Sequence, residues 1–214
     1  MVKYEPPTYL VPFKHWEIPN FWSMDFDIPI HDKDSSRWQA SYSNDLEYNK
    51  RTTRDFANMP SQLYDLYREL TSDETILEWK TRTGISHLEN DYTLHGGGFH
   101  VTYPQGHLCT HLDYAKHPLN TTKERRLNII VFLNEWKKEW GGALQLCLPS
   151  GRVVKEIYPE RGKLVAFETS DESYHGVSPV TGPIARASFA IYYLSNIRQG
   201  VTRERALFIP NRGM

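Results

Sequence analysis

Apolar residues recur at helical spacing between Met59-Pro60 and Trp79 and follow strand-like patterns further on. Leu63, Leu66, Tyr67 and Leu70, then Ile76 and Leu77, repeat at three- and four-residue intervals, the spacing that puts side chains on one face of a helix. Pro60 suits a first helical turn, where its missing N–H costs nothing. Ser72-Asp73 divides the run into two helices, and Gly84 ends the second. From about residue 91 the pattern is β. Phe99 to Tyr103 alternates and stops at Pro104-Gln105-Gly106. Leu127 to Leu133 is a longer apolar run, expected as a central strand covered on both faces. Gly141-Gly142 turns into Ala143 to Leu148, and Pro149-Ser150-Gly151 turns into Val153-Val154. Lys163 to Phe167 and Ala187 to Leu194 close the series.

Short strands separated by Gly and Pro turns indicate an all-β sandwich or barrel. Helices that precede the strands belong on the outside of the sheet. Residues 1 to about 55, rich in Pro, Asp, Ser and Asn, read as short strands and loops wrapping the domain. The expected organisation is one domain over 1–214: a covering segment at 1–55, support helices at 56–90 and a strand core at 91–196.

Composition narrows the partners. A net charge of −1 over 214 residues gives no basic field for nucleic acid or an anionic membrane. No window approaches the roughly 20 apolar residues of a spanning helix, and the N-terminal stretch has no continuous apolar core of signal-peptide type. A cytoplasmic location is expected on those absent signals. Cys109 and Cys147 sit in strand-like runs and are expected as buried free thiols. Tyr4, Tyr9, Phe13, Trp16, Phe21, Trp22, Phe26, Trp38, Tyr42 and Tyr48 crowd the first fifty residues. They either anchor an irregular segment on the sheet or face a substrate.

The candidate chemistry is His111-Leu112-Asp113, with His175 64 positions after His111, and then Arg186. By itself an H-x-D step is weak, since nine His and 26 Asp and Glu produce one by chance. On a strand, alternate residues share a face, so His111 and Asp113 point together. A distant histidine then completes a two-His, one-carboxylate set of the kind that holds non-haem Fe(II) with open positions. The gap suits three or four intervening strands. Arg186 adds a forked cation for a carboxylate. Iron plus a carboxylate anchor points to an oxygenase that consumes 2-oxoglutarate. His95 and His100 flank a glycine run and are expected along the barrel. His107 belongs to a turn near the metal strand, and His15, His31, His87 and His117 are expected at the surface.

The stretches Leu94 to His100, His111 to Asp113, Arg125 to Asn128, Phe132 to Asn134, Glu139 to Gly142, Thr169 to Gly176 and Arg186 to Ser188 resemble, in order, the prolyl-hydroxylase-type branch of the Fe(II)/2-oxoglutarate dioxygenases. Within that branch the chain is most similar to bacterial and viral proteins related to the ribosomal-protein prolyl hydroxylases. The resemblance implies a mainly β fold with flanking helices, with a double-stranded β-helix (jelly-roll) core. It implies that His111, Asp113 and His175 bind Fe(II) and carry catalysis, and that Arg186 holds the distal carboxylate of 2-oxoglutarate with Ser188 beside it. Tyr103 and Asn128 complete the expected cosubstrate contacts. O2 is the co-reactant, and ascorbate is an expected stimulant. Phe132 departs from relatives that place a tyrosine donor there. Asp113 favours hydroxylation over halogenation.

The first choice of substrate is a prolyl residue in a peptide or protein. A free amino acid or other small metabolite stands beside it, and oligomeric state is open. Two rivals are a non-oxidative cupin-like metal-binding jelly-roll, which needs no cosubstrate arginine, and an interaction protein that keeps the barrel without catalysis. A succinate-release assay separates both from an oxygenase.

Overall fold

The computed structural model describes residues 7–23 and 27–209, so Tyr4 and Phe26 lie outside the described residues. Helices α1 (Gln62–Leu70) and α2 (Asp73–Thr83) fall where the spacing predicts them. The Ser72 hydroxyl accepts a hydrogen bond from the Thr75 N–H (3.2 Å) at the start of α2, a cap worth about 1 kcal/mol. Gly84 closes α2 in the left-handed conformation, φ 74°, which a side chain would strain. Leu63, Leu66, Leu70, Ile76 and Trp79 are buried. Leu77 is 63% exposed: α2 restarts the helical phase after Ser72, and its buried stripe runs through Ile76, Trp79 and Thr83.

Among the described residues, twelve strands form one curled antiparallel sheet. They are β1 (His15–Ile18), β2 (Ala40–Tyr42), β3 (Glu47–Thr53), β4 (Glu89–Asn90), β5 (Gly98–Leu112) and β6 (Lys123–Phe132). Then come β7 (Leu144–Cys147), β8 (Val153–Ile157), β9 (Leu164–Glu168), β10 (Tyr174–Val177), β11 (Arg186–Asn196) and β12 (Leu207–Phe208). The spatial order is β1-β9-β6-β11-β5-β10-β7-β8, with the β2–β3 hairpin and β12 also on β5 and β4 on β11. β6 pairs with both β9 and β11, which explains its unbroken apolar run. Leu127, Ile129 and Val131 pack into the core shared with α1 and α2. Asn128 and Ile130 face the inside of the curl. β11 alternates likewise: Ala187, Phe189, Ile191 and Tyr193 join the helix-side core, and Arg186, Ser188, Ala190 and Tyr192 face inward. Burying each large apolar side chain there contributes about 1.5–3 kcal/mol.

β5 departs from the sequence reading. Pro104-Gln105-Gly106 is not a strand end but a bend inside one 15-residue strand. Gln105 takes φ 70°, and its N–H donates to the Val180 carbonyl (2.7 Å). The first half of β5 pairs with β11, from Thr102↔Arg186 to Gly98↔Ala190, and the second half pairs with β10, where His111 opposes His175. One strand therefore serves both layers of the curl.

The first fifty-five residues supply β1 at the edge beside β9 and the β2–β3 hairpin over β5. Trp16 is buried edge-on against Trp79, and Trp38 lies against Phe99; these aromatics anchor. His15 and His117, expected at the surface, are buried. His15 Nδ1 meets the Phe13 carbonyl (2.8 Å) and His117 Nε2 meets Asp91 Oδ2 (3.1 Å), partners that replace water. Cys109 and Cys147 are buried and in no disulfide among the described residues, and the Cys109 thiol donates to the Asp45 carbonyl (3.2 Å). No helix among the described residues is long and apolar enough to cross a membrane.

Candidate metal centre and its cavity

β5 ends at Leu112, so His111 sits at its tip and Asp113 just beyond it; His175 comes from β10 directly opposite His111. A register shift in the β5–β10 pairing between Leu108 and His111 turns the odd-numbered residues inward there, whereas His100 and Thr102 face inward further back. One ligand atom from each of His111, Asp113 and His175 lies within 4.8 Å of the other two. His111 Nε2 is 3.6 Å from Asp113 Oδ1, and His175 Nε2 is 3.8 Å from Asp113 Oδ2. Donors around one ion with bonds of about 2.1 Å stand about 3 Å apart when adjacent and about 4.2 Å apart when opposite, so the set fits a single divalent cation.

The tautomers fit as well. His111 Nδ1 meets the Cys109 carbonyl (3.0 Å) and His175 Nδ1 meets the Ser173 carbonyl (2.9 Å). Each contact puts the proton on Nδ1 and leaves the Nε2 lone pair for a metal. Burial pushes the His175 pKa down to about 4, helped by His111, so the ring is neutral at pH 7. Burial pushes the Asp113 carboxyl up, but His175 and His111 outweigh it and hold the group below the usual carboxylate range.

The three residues open into a cavity of about 180 Å³. Arg186 lies in its wall and is buried, with no carboxylate partner among the described residues. Its Nε donates to the Gly142 carbonyl (2.8 Å), Nη1 lies 3.3 Å from Ser188 Oγ, and the guanidinium lies 5.1 Å from the Phe132 ring centroid. Phe132 thus packs Arg186 instead of donating to a ligand. Burial lowers the arginine pKa to about 10, which leaves it about a thousandfold protonated at pH 7.

Tyr103 is not brought to the cavity. Thr102 faces in, so its neighbour on the strand faces out; the Tyr103 hydroxyl donates to the His31 carbonyl and its ring packs on the helix-side core. Asn128 is in the cavity wall, but its Nδ2 donates to Asp113 Oδ2 (3.0 Å). Of the remaining histidines, His100 lines the cavity, while His95 hydrogen-bonds the Tyr114 hydroxyl and His107 stacks on Tyr48. Arg125 had no role assigned from sequence. It is 1% exposed and held between the rings of Tyr114 (3.8 Å) and Tyr192 (3.5 Å), beside the triad. An arginine at the start of an apolar strand gives little signal of such a cage.

The profile of the 2OG-Fe(II) oxygenase superfamily matches residues 97–194, which include the triad and Arg186. This stretch of the chain is that of a 2OG-Fe(II) oxygenase core. The donor set within that stretch is suited to Fe(II), and Arg186 to a carboxylate such as that of 2-oxoglutarate. It is 29% identical over 176 residues to the prolyl 3-hydroxylase OGFOD1 of Mus musculus, a match covering 79% of this chain and 30% of that protein. The chain thus spans less than a third of that relative's length. A prolyl-4-hydroxylase from Pseudomonas putida superposes with TM-score 0.51 at 20% identity, covering 72% of this chain and 74% of that one. The prolyl hydroxylase of Trichoplax adhaerens, in complex with a hypoxia inducible factor oxygen degradation domain peptide, gives 0.56 at 16%, covering 85% and 83%. HygX of Streptomyces hygroscopicus, with nickel, 2-oxoglutarate and hygromycin B bound, gives 0.53 at 11%, covering 85% and 82%. These likenesses show the jelly-roll fold expected from the sequence.

Proposed function

We propose that this oxygenase hydroxylates a prolyl residue of a peptide or protein, with His111, Asp113 and His175 holding Fe(II) and Arg186 with Ser188 holding the distal carboxylate of 2-oxoglutarate. The observation that carries the site assignment is one cavity joining a buried two-His, one-carboxylate set to a buried arginine without a carboxylate partner among the described residues. A buried cation left unpaired is costly, so Arg186 calls for an anion from outside the protein. When bound, the iron and cosubstrate supply the oxidation: 2-oxoglutarate and O2 become succinate and carbon dioxide, with the second oxygen atom placed in a substrate C–H bond.

The protein's part is to bind, orient and keep dry. The backbone carbonyls of Cys109 and Ser173 hold both imidazoles with Nε2 toward Asp113. Asp113 offsets part of the metal charge. The Gly142 carbonyl and Ser188 fix the direction of the Arg186 fork. Prolyl as the substrate is supported by the mouse relative, whose name is that of a prolyl 3-hydroxylase. The test is succinate release with Fe(II), O2 and a library of proline-containing peptides, with mass spectrometry for the gain of one oxygen on proline. Release with free amino acids and none with peptides would replace the prolyl reading by the small-metabolite one. No release with any substrate, together with no divalent metal binding, would end the site assignment.

A further inference from the structure

We infer that Asn128 is a positioning residue that orients the Asp113 carboxylate so that Oδ1 faces the metal, and that it makes no contact with 2-oxoglutarate. This deepens the metal-centre assignment above and rests on it. Asn128 Nδ2 donates to Asp113 Oδ2 at 3.0 Å and lies 3.3 Å from the Tyr192 hydroxyl oxygen. All three side chains are buried. Which end of the amide is nitrogen follows from the neighbour. An ionised carboxylate only accepts, so the flipped amide would set oxygen against oxygen.

The donor count then decides the role. Nδ2 has two hydrogens, and Asp113 and Tyr192 take both. The unspent atom of Asn128 is Oδ1, which is buried without a hydrogen-bond partner among the described residues. It is an acceptor. 2-Oxoglutarate, with two carboxylates and a keto oxygen, offers acceptors alone, so Asn128 has nothing to give it. The cosubstrate role expected from the sequence is thereby replaced by one on the metal's own ligand.

The consequence for Asp113 is a division of labour between its oxygens. Oδ2 is engaged by the amide and lies 3.8 Å from His175 Nε2, and Oδ1 lies 3.6 Å from His111 Nε2. A carboxylate that gives one oxygen to the metal leaves three of six positions open, enough for a chelating cosubstrate and O2. One that gives both leaves two. The arrangement is also rigid. Asn128 and Tyr192 are register partners of β6 and β11, and the Tyr192 ring is pinned against the Arg125 guanidinium (3.5 Å).

The test uses the full chain and Co(II), with Asn128→Ala and Asn128→Leu; the leucine fills the amide's volume if the alanine variant folds poorly. Affinity for Co(II), its ligand-field absorption, and 2-oxoglutarate affinity at saturating Co(II) are measured. Losing a partner of a metal ligand typically weakens metal binding about 10–100-fold. That loss is expected in both variants, with an altered absorption spectrum and 2-oxoglutarate affinity within about threefold of wild type. Unchanged Co(II) affinity and spectrum, or a selective loss of 2-oxoglutarate, would overturn the inference. The two levels stay distinguishable. If the wild type binds no Co(II), or His111→Ala binds it equally well, the metal centre itself is wrong. If wild-type binding needs His111 and the Asn128 variants match it, only the role of Asn128 is wrong.

Discussion

The ring of Phe208 lies stacked on the imidazole of His111, with centroids 5.0 Å apart and 22° between the planes. β12 brings it there by pairing with β5 at His111 and Leu112. In the same segment Arg203 donates from Nε to the Asp113 carbonyl (2.7 Å), and its other nitrogens reach Asp171 and the Ser170 carbonyl. The stretch beyond the superfamily match thus braces both members of the H-x-D pair. Phe208→Ala should weaken divalent metal binding by up to about 10-fold, because the ring no longer fixes the ligand's plane. Removing the chain from Arg203 onward should cost more. Equal metal affinity in both variants, by titration, would reduce the segment to a cover.

Arg186→Ala should weaken 2-oxoglutarate binding by about 30-fold or more and leave metal affinity nearly unchanged, since truncating one partner of a buried charge pair costs about 2–5 kcal/mol. Arg186→Lys should fall between, keeping the charge and losing the fork that Gly142 and Ser188 orient. Calorimetric titration of metal-saturated protein separates the two affinities. A parallel loss of both would sink the assigned role.

Much of the fold was legible because its signals are local. Helical spacing placed α1 and α2, apolar runs placed β6 and β11, and alternation put Arg186 with Ser188 and His111 with Asp113. What escaped depends on contacts made across the sheet. Pro104-Gln105-Gly106 has the composition of a turn, but its N–H and carbonyl groups find partners in Val180, so β5 continues. Tyr103 fits a cosubstrate contact by motif, yet its parity on β5 sends it to His31. Phe208 and Arg125 carry no motif that speaks of the metal; pairing and stacking bring them there.

Divalent metal should stabilise the fold measurably. A ligand at 100 times its Kd adds about 2.7 kcal/mol to a state that alone binds it. For a chain of this length that raises Tm by about 5–10 °C. Mn(II) or Co(II) should produce the shift in wild type, and His175→Ala should abolish it. A shift that persists in His175→Ala would place the metal elsewhere.

Stability should fall with acid through His100. Burial in the cavity wall, with Lys50 nearby, pushes its pKa down to about 3 from an ordinary 6.5. Between those values the unfolded chain binds the proton and the folded one does not. Stability is therefore full above about pH 6.5 and declines as pH drops toward 3, by at most about 1.4 kcal/mol per unit. The ring keeps some solvent exposure, so the observed slope should be shallower. His100→Asn should flatten the decline in urea unfolding between pH 6.5 and 5. An unchanged slope would assign the acid sensitivity to other groups.

The rim of the cavity should govern the substrate and not the cosubstrate. Tyr42 and Lys50 are register partners in the β2–β3 hairpin, with the ammonium 5.1 Å from the ring centroid and 2.8 Å from Glu47 Oε2. All three line the cavity, and Lys50 and Arg186 flank Thr102 of β5 from its two sides, on β3 and β11. Lys50→Ala removes the cation that holds Tyr42 and Glu47 in place, a half-buried contact worth about 0.5–1 kcal/mol or somewhat more. The expected result is a KM for the peptide raised about two- to fivefold, with the KM for 2-oxoglutarate unchanged and succinate release without peptide intact. Tyr42→Ala should move the same parameter in the same direction. The hairpin would be a mere cover if both variants turned over peptide normally, and part of the cosubstrate site if the KM for 2-oxoglutarate rose with that for peptide.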